Sequence, residues 1–400
     1  MKLSQGFNVK QNRVAVLFGG RSAEHEISII TALQAIQAMD LCHYQVTPVY
    51  LALNGKWYTG DRLLDKNFYR DLSQNLSQVQ EVTLLPDPSL QGLIPISKKG
   101  TFSLNKLIPI DIYFLAFHGQ YGEDGCIQGL LELADASYTG CGVMASAVAM
   151  DKYQCKLFLQ AHGIPALPAI RVNRQEAIQD LAEVRSRIKK TPGLEQFPLF
   201  VKPCHLGSSI GIAVAEDDRT LNAALAKGFQ YDEDLIIEPC VTQLLEINIS
   251  VLDGETPIAS VVETPISQGA LTYEDKYLRE SGKTGDKAKE GMASLTRVID
   301  PQDLDPAIKQ QVTDYALKAF SLLKCSGAGR FDFILDTATN TVYFNELNPI
   351  PGSLAFYLWE KSTSSLLYTE VIDRMLQRAQ QRKAQQLALQ KNLGFKALFK

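Results

Sequence analysis

The chain of 400 residues carries 40 Lys and Arg against 44 Asp and Glu, a net charge of −4, and 46% of it is hydrophobic. That length and apolar content allow two or three domains with real cores, and mixed charge without a dominant basic face argues against a nucleic-acid binder. Seven cysteines with no CxxC pair and no metal-ligand spacing are expected of reduced thiols, and the short apolar run Val14–Phe18 is neither a secretory signal nor a membrane span, so the chain reads as a soluble cytoplasmic protein.

Val14–Phe18 predicts a buried strand, followed by Gly19-Gly20 and then by a helix from Ser28 to Met39 with apolar residues at helical spacing. This strand, glycine turn and helix open a parallel α/β sheet in the usual way. A second apolar strand, Ile110–Phe117, ends at His118-Gly119, and Gly125–Ala134 predicts a helix. Around Thr139-Gly-Cys-Gly142 the first domain gives way to a second. Met150–His162 is predicted helical with a glycine-then-proline stop at Gly163-Ile-Pro165. Phe197–Lys202 predicts a strand feeding the loop Cys204-His-Leu-Gly-Ser-Ser-Ile-Gly211, and Leu235–Glu238 predicts another. Alternation from Leu244 to Glu263 predicts an antiparallel pair turning at Asp253-Gly254. Arg279–Gly291, polar and rich in Lys and Gly, predicts a mobile loop. Residues 306–324 form an amphipathic helix. Arg330–Asp336 and Val342–Glu346 alternate polar and apolar residues around Thr337-Ala-Thr-Asn340, which predicts a hairpin. Arg374 to Lys400 has seven basic residues and no acidic one; its sparse apolar residues favour a last helix with a solvated end over a membrane-binding one.

In that hairpin Arg330 and Asp332 share one face, and Glu346 can lie across from them. Asp332, Glu346 and Asn348 are hard oxygen donors of the kind that hold Mg²⁺ and leave positions open for phosphate. Alone, the three are more economically an acidic rim on a sheet. The rest of the chain reverses this. The order Lys152, Lys202-Pro203 with a Gly-Ser-Ser loop, Glu238, Asp332 and Glu346-Leu-Asn348 resembles an ATP-grasp ligase. Gly19-Gly-Arg-Ser-Ala-Glu-His-Glu-Ile-Ser28 and His118-Gly-Gln-Tyr-Gly-Glu-Asp-Gly125 narrow the resemblance to the D-alanine–D-alanine ligase family, over residues 13–378.

The resemblance implies a role for each matching residue. Lys152 and Lys202 would contact the nucleotide phosphates, together with Ser209 in a loop whose backbone N–H groups can close over them. Glu238 and Glu246 would serve the adenine and ribose end, and Lys276 belongs to the nucleotide site as well. Glu26, Ser208 and Tyr277 would hydrogen-bond across the active site, with Glu26 holding the ammonium group of the first amino acid. Arg330 would stabilise charge developing in acyl transfer, and His118 would orient a substrate carboxylate. Asp332, Glu346 and Asn348 would bind Mg²⁺ or Mn²⁺, two ions in all. Two features carry no chemistry: Ser281-Gly-Lys-Thr284 lacks the first glycine of a P-loop, and Cys126 has no activating base at suitable spacing.

The implied fold is α/β, a three-domain ATP-grasp architecture. It comprises an N-terminal open parallel sheet of Rossmann-like type (1–142), a small central α+β domain (143–238) and a C-terminal antiparallel-sheet domain (239–378). The last carries a lid at 276–291 and is followed by a basic tail (379–400). The implied reaction is Mg-ATP-dependent ligation of two D-alanines for peptidoglycan precursors, in a possible homodimer. After Pro351-Gly352, however, Leu354 and Tyr357 stand where the family has hydroxyl side chains that help bind the second substrate. Alternatives are therefore a ligase making another dipeptide or amide, or a non-catalytic ATP-binding regulator; the latter predicts loss of metal ligands or of Arg330, and all are present.

Overall fold

The computed structural model describes residues 11–97, 100, 102, 104–266 and 297–389. Three sheets organise it. The first has seven strands: β1 (Asn12–Gly19), β2 (Tyr44–Leu51), β3 (Trp57–Thr59), β4 (Gln80–Thr83), β5 (Gly92–Pro95), β6 (Ile108–Pro109) and β7 (Ile112–Leu115). Their order is β6-β5-β4-β3-β2-β1-β7. Only β2-β1-β7 are parallel; β3 to β6 continue the sheet antiparallel. The expected open parallel sheet is thus a mixed one. Asn54-Gly55, at the turn after β2, returns the chain at once through β3 where a parallel sheet would need a helical crossover.

Val14, Ala15, Val16, Leu17 and Phe18 are fully buried, as a strand covered on both faces requires. Gly19 ends it with φ +89°, and a Cβ there would lie 2.3 Å from the Leu51 carbonyl oxygen, so no other residue fits. The helix His25–Ala38 follows and buries Ile27, Ile29, Ala32 and Ala35 on the sheet.

The second sheet, β10-β9-β11-β8, is antiparallel and consists of β8 (Ile170–Asn173), β9 (Leu199–Pro203), β10 (Ala213–Ala215) and β11 (Asp234–Pro239). The third, β14-β13-β12-β15-β16, is made of β12 (Leu244–Leu252), β13 (Ile258–Pro265), β14 (Arg297–Ile299), β15 (Ala328–Asp336) and β16 (Thr341–Asn348). The helix Pro306–Leu322 begins with Asp305 accepting from the Ala307 N–H and Pro306 in the first turn, where a missing N–H costs nothing. Its buried face, Ile308, Val312, Ala316, Ala319 and Phe320, packs with Ile247, Phe331 and Phe344 of the third sheet.

The final helix, Tyr368–Leu387, runs through most of the basic segment. It turns back onto the first unit, where Val371, Ile372, Met375 and Leu376 join the core of Val14–Phe18. Arg382 donates to the carbonyls of Tyr138 and Gly140 at 2.7 and 2.8 Å, and Lys383 pairs with Asp135 at 2.6 Å. Among the described residues no helix is long and apolar enough to cross a membrane.

Candidate active site

The β15–β16 hairpin builds the floor. Asp332 lies directly across from Glu346, and Arg330 across from Asn348. Phe331, Phe333 and Leu335 point into the core beneath, so Arg330 and Asp332 rise on the opposite face. Strict alternation on β16 would send Glu346 the wrong way, to the side of the buried Val342 and Phe344. A β-bulge prevents this: Phe333 opposes Phe344 while Asp332 opposes Glu346, leaving Asn345 as the extra residue. The bulge turns Glu346 up and Leu347 down.

Arg330 holds Asp332 in a two-pronged pair, Nε to Oδ1 at 2.7 Å and Nη2 to Oδ2 at 2.8 Å, and the Asn348 amide donates to Oδ2 at 3.1 Å. Burial pushes the Asp332 carboxyl up; Arg330 opposes this, while Glu346 and Glu263 add to it. The buried Asp332 and half-buried Glu346 carboxylates and the Asn348 amide oxygen on one hairpin fit a hard divalent cation. Among the described residues no three His, Cys, Asp or Glu side chains cluster closely enough to form a cage. A Mg²⁺ ion held by these residues would take its remaining ligands from a bound phosphate or water.

Two lysines face this floor. Lys152 opens the helix Lys152–Ala161, whose first turn is capped by Asp151 accepting from the Gln154 N–H at 2.9 Å. Its Nζ lies 3.3 Å from Glu346 and donates to the Leu206 carbonyl at 2.6 Å. Burial disfavours its charge, but Glu346, with Cys204 and Glu24, holds the lysine above its ordinary value. Lys202, on β9, reaches Glu238 at 2.6 Å and Asn345 at 3.2 Å. Glu238 is fully buried between Lys202 and Lys156, and the two lysines hold it well below the usual carboxylate range despite burial.

The loop after β9 closes the cleft from above. Ser208 and Ser209 adopt left-handed backbone with φ 52° and 57°, and successive residues of this kind make a concavity of N–H groups suited to an anion. The Ser208 hydroxyl donates to Glu24. Gly207 permits the approach, since a Cβ there would meet Glu24 Oε2 at 3.0 Å. Beneath, Glu123 accepts from the N–H groups of Gly119 and Ile350 at 2.6 and 3.1 Å, tying the His118–Gly125 loop to the segment after β16. Burial, aided by Glu24, pushes its carboxyl up to about 8. His118 is buried with Nε2 2.8 Å from the Thr31 hydroxyl; burial and then Arg330 lower it to about 4, so it is neutral. Glu24, His118, Glu123, Lys152, Ser208, Arg330, Glu346 and Asn348 line one cleft.

Residues 13–141 match the family model described as D-ala D-ala ligase N-terminus, and residues 158–377 match that described as D-ala D-ala ligase C-terminus. The chain belongs to the D-alanine–D-alanine ligase family. It is 36% identical over 387 residues to D-alanine–D-alanine ligase A of Bradyrhizobium diazoefficiens, covering 95% of this chain and 98% of that one. With the D-alanine–D-alanine ligase of Chlorobium limicola it shares 34% over 380 residues, 94% and 98% of the two chains. The solved D-alanine–D-alanine ligase of Coxiella burnetii superposes with a TM-score of 0.76 at 27% identity, covering 94% of this chain and 96% of that one.

Within this family member the cleft gathers His118, Lys152, Ser208, Arg330, Glu346 and Asn348, with Asp332 and Lys202 bonded at its margins. One expectation is corrected: the glutamate that meets Ser208 is Glu24, and Glu26 lies exposed on the first turn of its helix. The signal was present in the sequence. Glu24 is the last residue before the helix that buries His25, Ile27, Ser28 and Ile29, so Glu26 falls on the outer face. Glu246 lies half-buried on β12 opposite Ile334, two residues before Asn248, which pairs with Asp332. Glu238 is bonded to Lys156 and Lys202. Lys276, Tyr277 and the expected lid lie outside the described residues. Glu123 and Lys156 were missed, although the Gly-Glu-Asp-Gly segment had been singled out.

Beyond Arg330 the wall is the turn after Pro351-Gly352. Ser353, Leu354 and Ala355 are all left-handed, with φ 51°, 53° and 51°. The Ser353 hydroxyl donates to Gln34 at 2.7 Å, and Leu354 is wholly buried. Tyr357 is pinned: its hydroxyl donates to Glu263 at 3.4 Å, and Arg297, paired with Glu263 at 2.7 Å, stacks 4.1 Å above its ring.

Proposed function

We propose that this chain is an ATP-dependent carboxylate–amine ligase that joins two D-alanines, forming ADP and phosphate and supplying peptidoglycan precursor synthesis. Its relatives carry that name across nearly the full length of both chains. The observation that carries the reading is the convergence of Asp332, Glu346 and Asn348 with Arg330 on one hairpin, opposite Lys152 and beneath the Ser208–Ser209 loop.

On this reading Lys152, Lys202 and the loop N–H groups neutralise and orient the nucleotide phosphates. Glu24 and Ser208 hold the ammonium of the first amino acid, so its carboxylate faces the γ-phosphate, which it attacks to give an acyl phosphate. The amine of the second amino acid then displaces phosphate from that carbonyl carbon, losing a proton, and Arg330 stabilises the negative charge on the carbonyl oxygen. Asp332, Glu346 and Asn348 would hold Mg²⁺ or Mn²⁺, two ions in all, supplying charge neutralisation between the phosphates. The same reading makes the chain a cytoplasmic homodimer.

A second reading keeps the first half-reaction and changes the attacking amine. It is favoured by one observation: the hydroxyls of Ser353 and Tyr357 are committed to Gln34 and Glu263, leaving neither for a second substrate's carboxylate. ADP release measured against pairs of D- and L-amino acids, with the product identified by mass, separates the two. D-alanyl-D-alanine as the dominant product supports the first reading; ATP turnover only with another amine supports the second, and no amino-acid-dependent turnover removes both.

A further inference from the structure

His205 follows β9 at the root of the Gly-Ser-Ser loop and has no part in the scheme above. Its backbone N–H donates to Asp232 Oδ2 at 2.7 Å, its Nδ1 lies 3.0 Å from Asp232 Oδ1, and its Nε2 lies 3.5 Å from Asp151 Oδ2. Both ring nitrogens thus face carboxylate oxygens, which accept only, so both must donate. Asp151 caps the helix that Lys152 opens. Two more bonds join the same partners: the Lys152 N–H donates to the Cys204 carbonyl at 3.1 Å, and Lys152 Nζ to that of Leu206 at 2.6 Å. The far end of the loop is in left-handed backbone at Ser208 and Ser209, a conformation that persists only when its surroundings enforce it. The ring lines an open cavity with Tyr121, Asp124, Asp151 and Asp232.

We propose that His205 is a positioning residue: clamped between Asp151 and Asp232, it fixes the 204–211 loop against the start of the Lys152 helix and so sets the spacing of the two halves of the phosphate site. This rests on the reading of that loop and of Lys152 as nucleotide contacts. The groups facing the ring are Asp151 from the helix start, Asp232 from the segment before β11, and Asp124 and Tyr121 across the cavity. Hydrogen bonds to Asp151 and Asp232 push the imidazole up to about 10 against the effect of burial. A raised pKa means that the clamp's contribution is complete below the ordinary histidine value of 6.5 and is lost as pH rises towards 10.

The test uses the full chain with His205→Gln, which removes the charge, and His205→Arg, which keeps it. Hydrogen exchange over residues 204–211 is read without nucleotide, and the affinity for Mg-ADP is read by calorimetry between pH 7 and 10.5. In His205→Gln the loop amides should exchange faster and the Mg-ADP Kd should rise about tenfold, the loss expected for one charge-assisted contact, while the KM for the first amino acid stays within twofold. His205→Arg should recover most of the affinity. Wild-type affinity should weaken above pH 9 towards that of His205→Gln, whose own profile stays flat. Unchanged loop exchange in His205→Gln overturns the clamp, and faster exchange with wild-type Mg-ADP affinity overturns its role in positioning. A wild-type chain that binds no nucleotide removes the functional reading instead, and loop exchange still decides the clamp.

Discussion

The floor and the wall of the cleft are built on different principles. On the floor, Arg330, Asp332, Glu346 and Asn348 sit at fixed register on a two-stranded hairpin, and each charge has an opposite charge or a donor within 3.3 Å. The wall, Gly352–Tyr357, has left-handed backbone at Ser353, Leu354 and Ala355, and its polar groups reach away from the cleft, to Gln34 and Glu263. A ladder of backbone bonds fixes where a charge sits. A turn fixed by side-chain contacts can change its lining without moving that ladder. On the proposed reading the chemistry resides in the rigid part, and the choice of second substrate in the part that can be rewritten.

The sharpest break of this comparison is Glu346→Gln. It leaves the hairpin intact and removes one of the two facing carboxylates, so turnover should fall about 10²–10³-fold, with the melting temperature little changed. Near-normal turnover would show that the floor does not carry the chemistry. Next is the pair Glu24→Gln and Glu26→Gln. Losing a charge-assisted bond of about 2 kcal/mol should raise the KM of the first amino acid roughly 30-fold in Glu24→Gln, whereas Glu26→Gln should match wild type; steady-state kinetics on both decides which glutamate acts.

The wall is probed by Tyr357→Ser. Truncating a buried aromatic side chain should cost about 3 kcal/mol of stability. By opening the second site, it should lower the KM for D-alanine as attacking amine about fivefold, the ~1 kcal/mol of one new hydrogen bond. The first-site KM should not move. If both KM values move together, wall and floor are not separable. The effect with least bearing on turnover belongs to pH. His118 is held neutral with its pKa lowered to about 4 by burial, so the unfolded chain binds the extra proton first. Stability should therefore fall as pH drops from about 6.5 towards 4, by at most ~1.4 kcal/mol per unit from this group. Denaturant titration of His118→Asn over that range should show a shallower slope than wild type.

Much of the floor was legible in the sequence because it is local. Alternation in Arg330–Asp336, a four-residue turn and the following strand announce a hairpin, and a hairpin brings Asp332 to Glu346. The bulge at Asn345 was not legible, since alternation alone sends Glu346 into the core. Glu24 and Glu26 were confused because a motif gives order but not the facing of a helix; the burial of His25 and Ser28 decides that. The wall was least legible. Nothing in Ser353-Leu-Ala355 announces a positive φ, and the contacts that pin Tyr357 come from Glu263 and Arg297, brought together by tertiary structure alone. The mixed character of the first sheet was hidden for the opposite reason: β3 to β6 are short, and their pattern is too weak to read.

The return of the last helix onto the first core has a consequence for how the chain is made. Trp359, Val371, Ile372, Met375 and Leu376 belong to the same buried cluster as Val14–Phe18. A ribosome adding ~5–20 residues per second therefore holds the first sheet without its cover for on the order of tens of seconds. Residues 12–138 are translated first but completed last, their apolar face waiting on a segment still in the exit tunnel. Vectorial synthesis thus runs against the order of assembly, and the nascent chain presents to chaperones a surface that the finished enzyme never shows.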